Sequence, residues 1–139
     1  MQIYAVIDTN VIVSALISKN PQSPPVQVLR ETLCGNIIPL YHSDIINEYF
    51  EVLSRPKFHL NADTIKTVIN SIISNGMKVT PSPTGEIFID PDDLIFYEVA
   101  MEKRDDGSYL VTGNLKHYPE RDFIVTPAEM IKILEEHNK

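Results

Sequence analysis

Apolar and polar residues follow one another along this chain in short blocks whose periods read as strands and helices in turn. Ile3–Ile7 is an almost unbroken apolar run, the pattern of a strand covered on both faces of a parallel sheet. It stops at the polar triplet Asp8-Thr9-Asn10, and Val11–Ile17 follows as a short helix. Asn20–Pro25 is a loop, in which Ser23 can cap a helix with proline at its first position. That helix runs to about Leu33, where Gly35 suits a C-terminal stop. Ile37–Tyr41 reads as a second strand, with Pro39 arguing for an irregular or edge position. Ser43 is placed to cap a helix over Asp44–Leu53, in which Ile45, Ile46, Tyr49, Phe50 and Leu53 form one apolar stripe. Arg55-Pro56 closes it, and a further helix spans about Ala62–Ser74 before Asn75-Gly76.

The second half repeats the alternation. Lys78–Thr80 is a brief strand, Pro81–Gly85 a loop, and Asp90-Pro91-Asp92-Asp93 opens a helix through about Lys103. Asp105-Asp106-Gly107 is a turn before a strand over Ser108–Thr112, which ends at Gly113-Asn114. Phe123–Val125 is the last strand. Thr126-Pro127-Ala128-Glu129 then forms a capping box that starts a final helix running to the C-terminus. This order predicts an α/β fold of one domain, residues 1–139: a three-layer α/β/α sandwich around a mostly parallel central sheet.

Composition narrows the class. At 139 residues, 43% hydrophobic and 22% charged, the chain lies far from the disordered class. A chain of this length buries roughly 70% of its unfolded surface. No apolar run approaches the roughly 18 residues of a membrane span. Met1-Gln2-Ile3 carries no basic region ahead of an apolar stretch, so a signal peptide is not expected and a cytoplasmic location is. Cys34 is alone, which excludes an internal disulfide framework and a cysteine-based zinc cluster. None of the four histidines has the spacing of a zinc pair.

The net charge of −7, from 12 basic and 19 acidic residues, argues against a broad basic surface tracking a nucleic-acid backbone. The acidity is concentrated: Glu86–Asp106 holds eight acids and two bases, and so six of the seven net charges. Such a run is commonly a solvated helix face; the alternative is that some of its carboxylates gather around a cation.

Position separates these readings. Asp8 stands at the carboxyl end of the first strand, where ligands bind in open parallel sheets. A lone carboxylate beside a core strand is costly unless paired or bound to a metal. It could instead cap the following helix, although Thr9 or Asn10 would serve as well. Asp93 falls at the third helical position if Asp90 is the cap, favourable to the helix dipole; yet Asp90, Asp92 and Asp93 together repel unless a cation intervenes. Glu48 lies mid-helix beside the apolar stripe, where a surface glutamate is the common case. Asn114 ends another strand, either as a turn asparagine or as an oxygen donor for a hard cation or its water.

Val6-Ile7-Asp8-Thr9-Asn10-Val11, Ser43-Asp44-Ile45-Ile46-Asn47-Glu48, Asp90-Pro91-Asp92-Asp93 and Leu110-Val111-Thr112-Gly113-Asn114 stand in that order. Together they resemble the PIN domain (PilT N-terminus-like) nucleases, and within them the branch of toxins from toxin–antitoxin pairs. The similarity extends to Arg55-Pro56-Lys57-Phe58 and Thr126-Pro127-Ala128-Glu129. It implies a PIN-like fold and a Mg²⁺- or Mn²⁺-dependent endoribonuclease that hydrolyses RNA phosphodiester bonds. Asp8, Glu48, Asp93 and Asn114 would be its catalytic residues, the first three also metal ligands. Asp93 is favoured over the adjacent Asp92 by its spacing to Phe96 and Ala100. Many relatives carry an aspartate where this chain has Asn114, which removes a charge that a second cation could use. Thr9, Asn10, Asp92, Thr112 and Lys116 would orient ligands or substrate, and Lys116 is equally a solvated surface lysine. His117 is a further candidate, as a proton donor to the leaving group. The resemblance also implies an antitoxin partner and a homo-oligomer, commonly a dimer.

Two other classes compete. A PIN-like module that binds RNA or protein without cutting is suggested by Asn114 and the scarcity of basic residues. A phosphotransfer receiver or haloacid-type phosphatase would need an acidic pair or an Asp-x-Asp at the first strand, and this chain has one aspartate there.

Overall fold

Five short strands form one sheet: β1 (Ile3–Ile7), β2 (Ile37–Tyr41), β3 (Met77–Lys78), β4 (Tyr109–Val111) and β5 (Ile124–Val125). Their spatial order is β3-β2-β1-β4-β5, and every neighbouring pair is parallel. The helices are α1 (Thr9–Ile17), α2 (Pro24–Leu33), α3 (Ser43–Leu53), α4 (Ala62–Asn75), α5 (Pro91–Glu102) and α6 (Pro127–His137). The computed structural model describes residues 2–138; Met1 and Lys139, the ends of the expected domain, lie outside it. The α/β sandwich expected from the alternation is present, with a sheet wholly rather than mostly parallel.

Parallel sheets need cover on both faces, and the sequence of β1 answers to that need. Ala5 and Val6 are fully buried, and Ile3 and Ile7 nearly so. α5 packs on β1, β2 and β4; α2 packs on β2 and against α1 and α6; α4 packs on β2 and α3. The apolar stripe of α3 turns inward through Ile45, Tyr49 and Leu53.

Several boundaries differ from the expectation for identifiable reasons. β2 lies inside the sheet, not at its edge. Pro39 is tolerated because the ladder with β3 begins only at Leu40, so no β3 partner asks for a Pro39 N–H. α1 starts at Thr9, two residues before the apolar pattern, with Asp8 in the cap position. α3 is capped not by Ser43 but by His42, whose Nδ1 accepts the Asp44 N–H at 3.1 Å. Ser23 occupies the cap position of α2, ahead of Pro24, without a side-chain cap bond. The capping box of α6 is formed as expected: Thr126 Oγ1 accepts the Glu129 N–H at 3.2 Å, and Glu129 Oε1 accepts the Thr126 N–H at 2.9 Å. That helix ends at His137 with Asn138 as its cap, and Lys139 lies outside the described residues.

The strand order places a topological switch point between β1 and β4. From β1 the chain moves to β2 on one side and later returns to β4 on the other. At such a point the loops diverge and leave a crevice at the carboxyl ends of the two strands. Asp8 and Thr112 follow directly on those ends.

Gly76, after α4, is fixed by close approach rather than by a left-handed backbone. A Cβ there would stand 2.4 Å from the Pro39 carbonyl oxygen and 2.5 Å from that of Ile72. Both obstacles are backbone and cannot swing aside. Gly76→Ala is therefore expected to destabilise the fold by about 1–3 kcal/mol, the cost of overpacking a tight contact. Urea unfolding measures it, and an unchanged midpoint would contradict it.

Candidate active site

The crevice is built around Asp8, whose residue is 5% exposed. Although it holds the cap position of α1, its carboxylate makes no cap bond to that helix. Instead Oδ2 accepts three side-chain donors: Thr112 Oγ1 at 2.8 Å, Asn10 Nδ2 at 3.0 Å and the Tyr118 hydroxyl at 3.0 Å. The Asp8 N–H donates to the Val111 carbonyl at 2.9 Å, which ties the end of β1 to β4. Asn10 also accepts the Gly113 N–H on Oδ1 at 2.9 Å, and Thr112 Oγ1 accepts the Asn114 N–H at 3.0 Å. The two strand ends are thus laced together by polar side chains.

Glu48 reaches the same place from α3, where Thr9 Oγ1 donates to its Oε2. The next residue, Tyr49, is buried and donates its hydroxyl to the Ile7 carbonyl. That bond pins α3 to the end of β1 and sets the side from which Glu48 approaches.

Asp93 enters from the first turn of α5, whose cap is Asp90; Asp90 Oδ1 accepts the Asp92 N–H at 3.0 Å. The Asp93 side chain is 14% exposed, and its Oδ2 is buried with no hydrogen-bond partner among the described residues. His117 Nδ1 stands 3.3 Å from that oxygen without the alignment of a hydrogen bond. Asp92, by contrast, is exposed and lines a groove between α3 and α5 together with Glu48, Asp44 and Glu51. Of the two adjacent aspartates, Asp93 is the one turned inward.

The remaining expected residues are placed less centrally. Asn114 joins the network through its main-chain N–H; its side chain is exposed and makes no hydrogen bond among the described residues. Lys116 is exposed and lines a cavity of about 230 Å³ with Asp93, Asp90, His117 and Ile89. Thr9, Asn10 and Thr112 each hydrogen-bond to one of the carboxylates.

Burial pushes all three carboxyls upward from their ordinary values, and neighbouring carboxylates add to it at Glu48 and Asp93. For Asp8 burial dominates, partly offset by hydrogen bonds led by those from Thr112 and Tyr118. For Glu48 burial again leads; the Thr9 bond opposes it, while the charges of Asp8, Asp92 and Asp93 add to it. Asp93 is pushed to about 6 by burial, then by Asp8 and Asp90, against a smaller opposing pull from His117. Carboxylates crowded in this way favour protonation or a bound cation.

Among the described residues no group of three or more His, Cys, Asp or Glu side chains is placed to hold a metal ion. A closed cage is not what Mg²⁺ or Mn²⁺ asks for. Such ions keep several waters and take one or two carboxylates from the protein. The donors here are all hard oxygens, and one of them, Asp93 Oδ2, is buried and lacks a hydrogen bond. In chemistry and in that unmet oxygen, the residues fit a hard divalent cation.

A family model described as PIN domain matches residues 4–116, from β1 to just past the end of β4. The chain belongs to the PIN domain family. PIN domains are generally nucleases, and divalent metals generally serve them. No curated protein and no solved structure matches the chain.

This PIN domain also uses residues that the sequence pattern did not single out. Tyr118 bonds directly to Asp8, across 110 positions of chain, and Tyr49 anchors the helix that carries Glu48. For Tyr118 the only signal was an aromatic ring with a polar handle in a short polar turn. For Tyr49 it was the direct neighbour of a candidate acid on the buried stripe. No helix among the described residues is long and apolar enough to cross a membrane.

The burial of Asp93, with the charges of Asp8 and Asp90 beside it, has a measurable consequence in metal-free protein. Asp93 is raised from 3.8 to about 6, so between these values the folded state binds more protons than the unfolded state. The contribution of Asp93 to stability therefore falls as pH rises through that window, and its cost is complete above pH 6. Asp93→Asn is expected to stabilise the metal-free protein at pH 7 by about 1–2 kcal/mol. It should also flatten stability against pH between 3.8 and about 6. Thermal unfolding in the presence of chelator measures both, and a variant less stable than wild type at pH 7 would refute the expectation.

Proposed function

We propose that this PIN domain is a divalent-metal-dependent endoribonuclease. The observation that supports the proposal is that Asp8, Glu48 and Asp93, from three different elements, lie close enough beside the switch point of a parallel sheet for their charges to act on one another. All three are raised by burial, and one is left with an unmet oxygen. A structural role would not gather three like charges where water is scarce.

Asp8 and Asp93 would hold Mg²⁺ or Mn²⁺, with Glu48 holding it through water. When bound, such an ion lowers the pKa of a water, polarises the phosphoryl oxygen and stabilises the leaving oxyanion. The chain's own part is orientation. Thr112, Asn10 and Tyr118 hold Asp8 by Oδ2, and Thr9 holds Glu48 by Oε2. The remaining oxygen of Glu48, raised in basicity by burial and then by the charges of Asp8, Asp92 and Asp93, can accept a proton from an attacking water. Lys116, exposed beside Asp93, can contact a phosphate of the RNA backbone.

The toxin-like role, with a cognate antitoxin as partner, is supported by the four sequence motifs alone. The competing module that binds without cutting draws on one observation: Asn114 supplies no charge and keeps its side chain outside the network.

Cleavage of single-stranded RNA with Mg²⁺ or Mn²⁺ tests the assignment. Wild type is expected to cut and to stop on chelation. Asp8→Asn should lose about 10²-fold or more in rate, corresponding to several kcal/mol of transition-state stabilisation. Equal cleavage by both proteins would sink the site; no cleavage by wild type, with Mn²⁺ bound, would favour the non-cutting module.

A further inference from the structure

We propose that Tyr118 is a positioning residue of the carboxylate site: its hydroxyl completes a set of three side-chain donors on Oδ2 of Asp8 and so presents Oδ1 to a divalent cation. The proposal rests on the reading of Asp8 as a metal ligand. Its evidence, however, is a separate piece of geometry.

A carboxylate attached through two rotatable bonds does not keep one oxygen facing one way unless the other is held. At Asp8 the side-chain donors are one-sided: Thr112, Asn10 and Tyr118 all bond to Oδ2, beside a main-chain contribution from Thr9. A hydrogen bond to the far side of a ligating group fixes its orientation and raises its basicity.

The three donors are not equivalent. Asn10 also receives the Gly113 N–H, and Thr112 Oγ1 also receives the Asn114 N–H, so both lace the strand ends regardless of Asp8. The Tyr118 hydroxyl has Asp8 as its one hydrogen-bond partner among the described residues. It comes from a different place, just after the 3-10 turn Leu115–His117. The residue is 8% exposed, and its ring meets Phe88 edge-on at 5.7 Å between centroids. Phe88 in turn packs on Tyr97 of α5 at 5.3 Å. The ring is therefore held by packing, and its hydroxyl is aimed by that packing at one carboxylate oxygen.

Tyr118→Phe removes the hydroxyl and keeps the ring. Calorimetry with Mn²⁺ alone, in the full chain without RNA, reads the effect on the ligand. Metal-free melting reads any effect on the fold. The expected result is a Mn²⁺ dissociation constant raised about 10-fold or more, within the range for lost outer partners of ligands, with metal-free melting near that of wild type. Incorporating p-aminophenylalanine at position 118 returns a donor to the same place and should return affinity toward wild type. A dissociation constant within about twofold of wild type would overturn the proposal. So would a Tyr118→Phe protein that fails to fold, because the hydroxyl would then be holding the fold and not the ligand. Asp8→Asn separates the two levels. If wild type binds Mn²⁺ and Asp8→Asn does not, an unaffected Tyr118→Phe refutes the role of Tyr118 alone. If Asp8→Asn binds as well as wild type, the metal reading falls, and the role of Tyr118 with it.

Discussion

A carboxyl group at the end of a buried strand must be satisfied by the protein, because water does not reach it. Asp8 is in that position, and an unpaired buried charge costs several kcal/mol even after relaxation. Its partners come from α1, from the end of β4 and from the turn after it, and they can converge only under strict conditions. β4 must lie beside β1, parallel, in the register that sets Ile7 opposite Val111. α1 must begin at once, so that Asn10 folds back within two residues of Asp8. The segment after Thr112 must turn tightly enough to return Tyr118 to the same oxygen. Sheet order, helix start and loop conformation are all conditions on one carboxyl.

Hydrogen bonding answers only part of the electrostatic demand. Asp8 has three side-chain donors and Glu48 has one, while the buried oxygen of Asp93 has none among the described residues. Left alone, like charges in a low-dielectric crevice would move apart. They are prevented by aromatic anchors close in the chain to Glu48 and to Asp93. Tyr49 follows Glu48 directly and is bonded to the Ile7 carbonyl. Phe96 lies one turn beyond Asp93, is fully buried, and meets Tyr49 at 6.3 Å between ring centroids. The apolar core holds α3 and α5 together at the point where their acids repel. Stability gained in the core is thus set against a strained charge arrangement at the crevice, a pattern common at functional sites.

Much of this was legible in the chain, and the part that was not has a common cause. The unbroken run Ile3–Ile7 followed by Asp8-Thr9-Asn10 marks a core strand ending in a carboxyl, because burial and polarity change within one residue. The resemblance favours Asp93 over Asp92 by its spacing to Phe96 and Ala100, both fully buried, and in the structure Asp93 is the more buried of the two aspartates. Local rules also gave the capping box at Thr126 and the proline opening α2. They read Pro39 as marking an irregular or edge position, of which the edge is excluded, and chose Ser43 over His42 as a cap. The position of Pro39 depends on how far β3 extends along β2, which no local pattern encodes. Tyr118 was invisible for the same reason: its partner is 110 residues away, and neither residue's surroundings in sequence point to the other.

The acidic run from Glu86 to Asp106 is four features and not one, the first being Glu86, which pairs with Arg121 at 3.4 Å. Asp90, Asp92 and Asp93 belong to the start of α5 and to the crevice. Glu98 and Glu102, further along the helix, accept the N–H groups of Thr84 and Ser82 at 2.6 and 2.8 Å and hold the preceding segment against α5. Asp105 and Asp106 belong to the turn before β4. The negative charge near the crevice is therefore smaller than the run suggests, and it is local. A polyanion, on the function proposed, would meet its strongest repulsion at Asp8, Glu48 and Asp93. A divalent cation bound there would cancel most of that charge and offer phosphate oxygens a direct ligand at the same place. Metal loading and attraction of phosphate then become one event, and a chain of net charge −7 needs no broad basic surface to act on RNA.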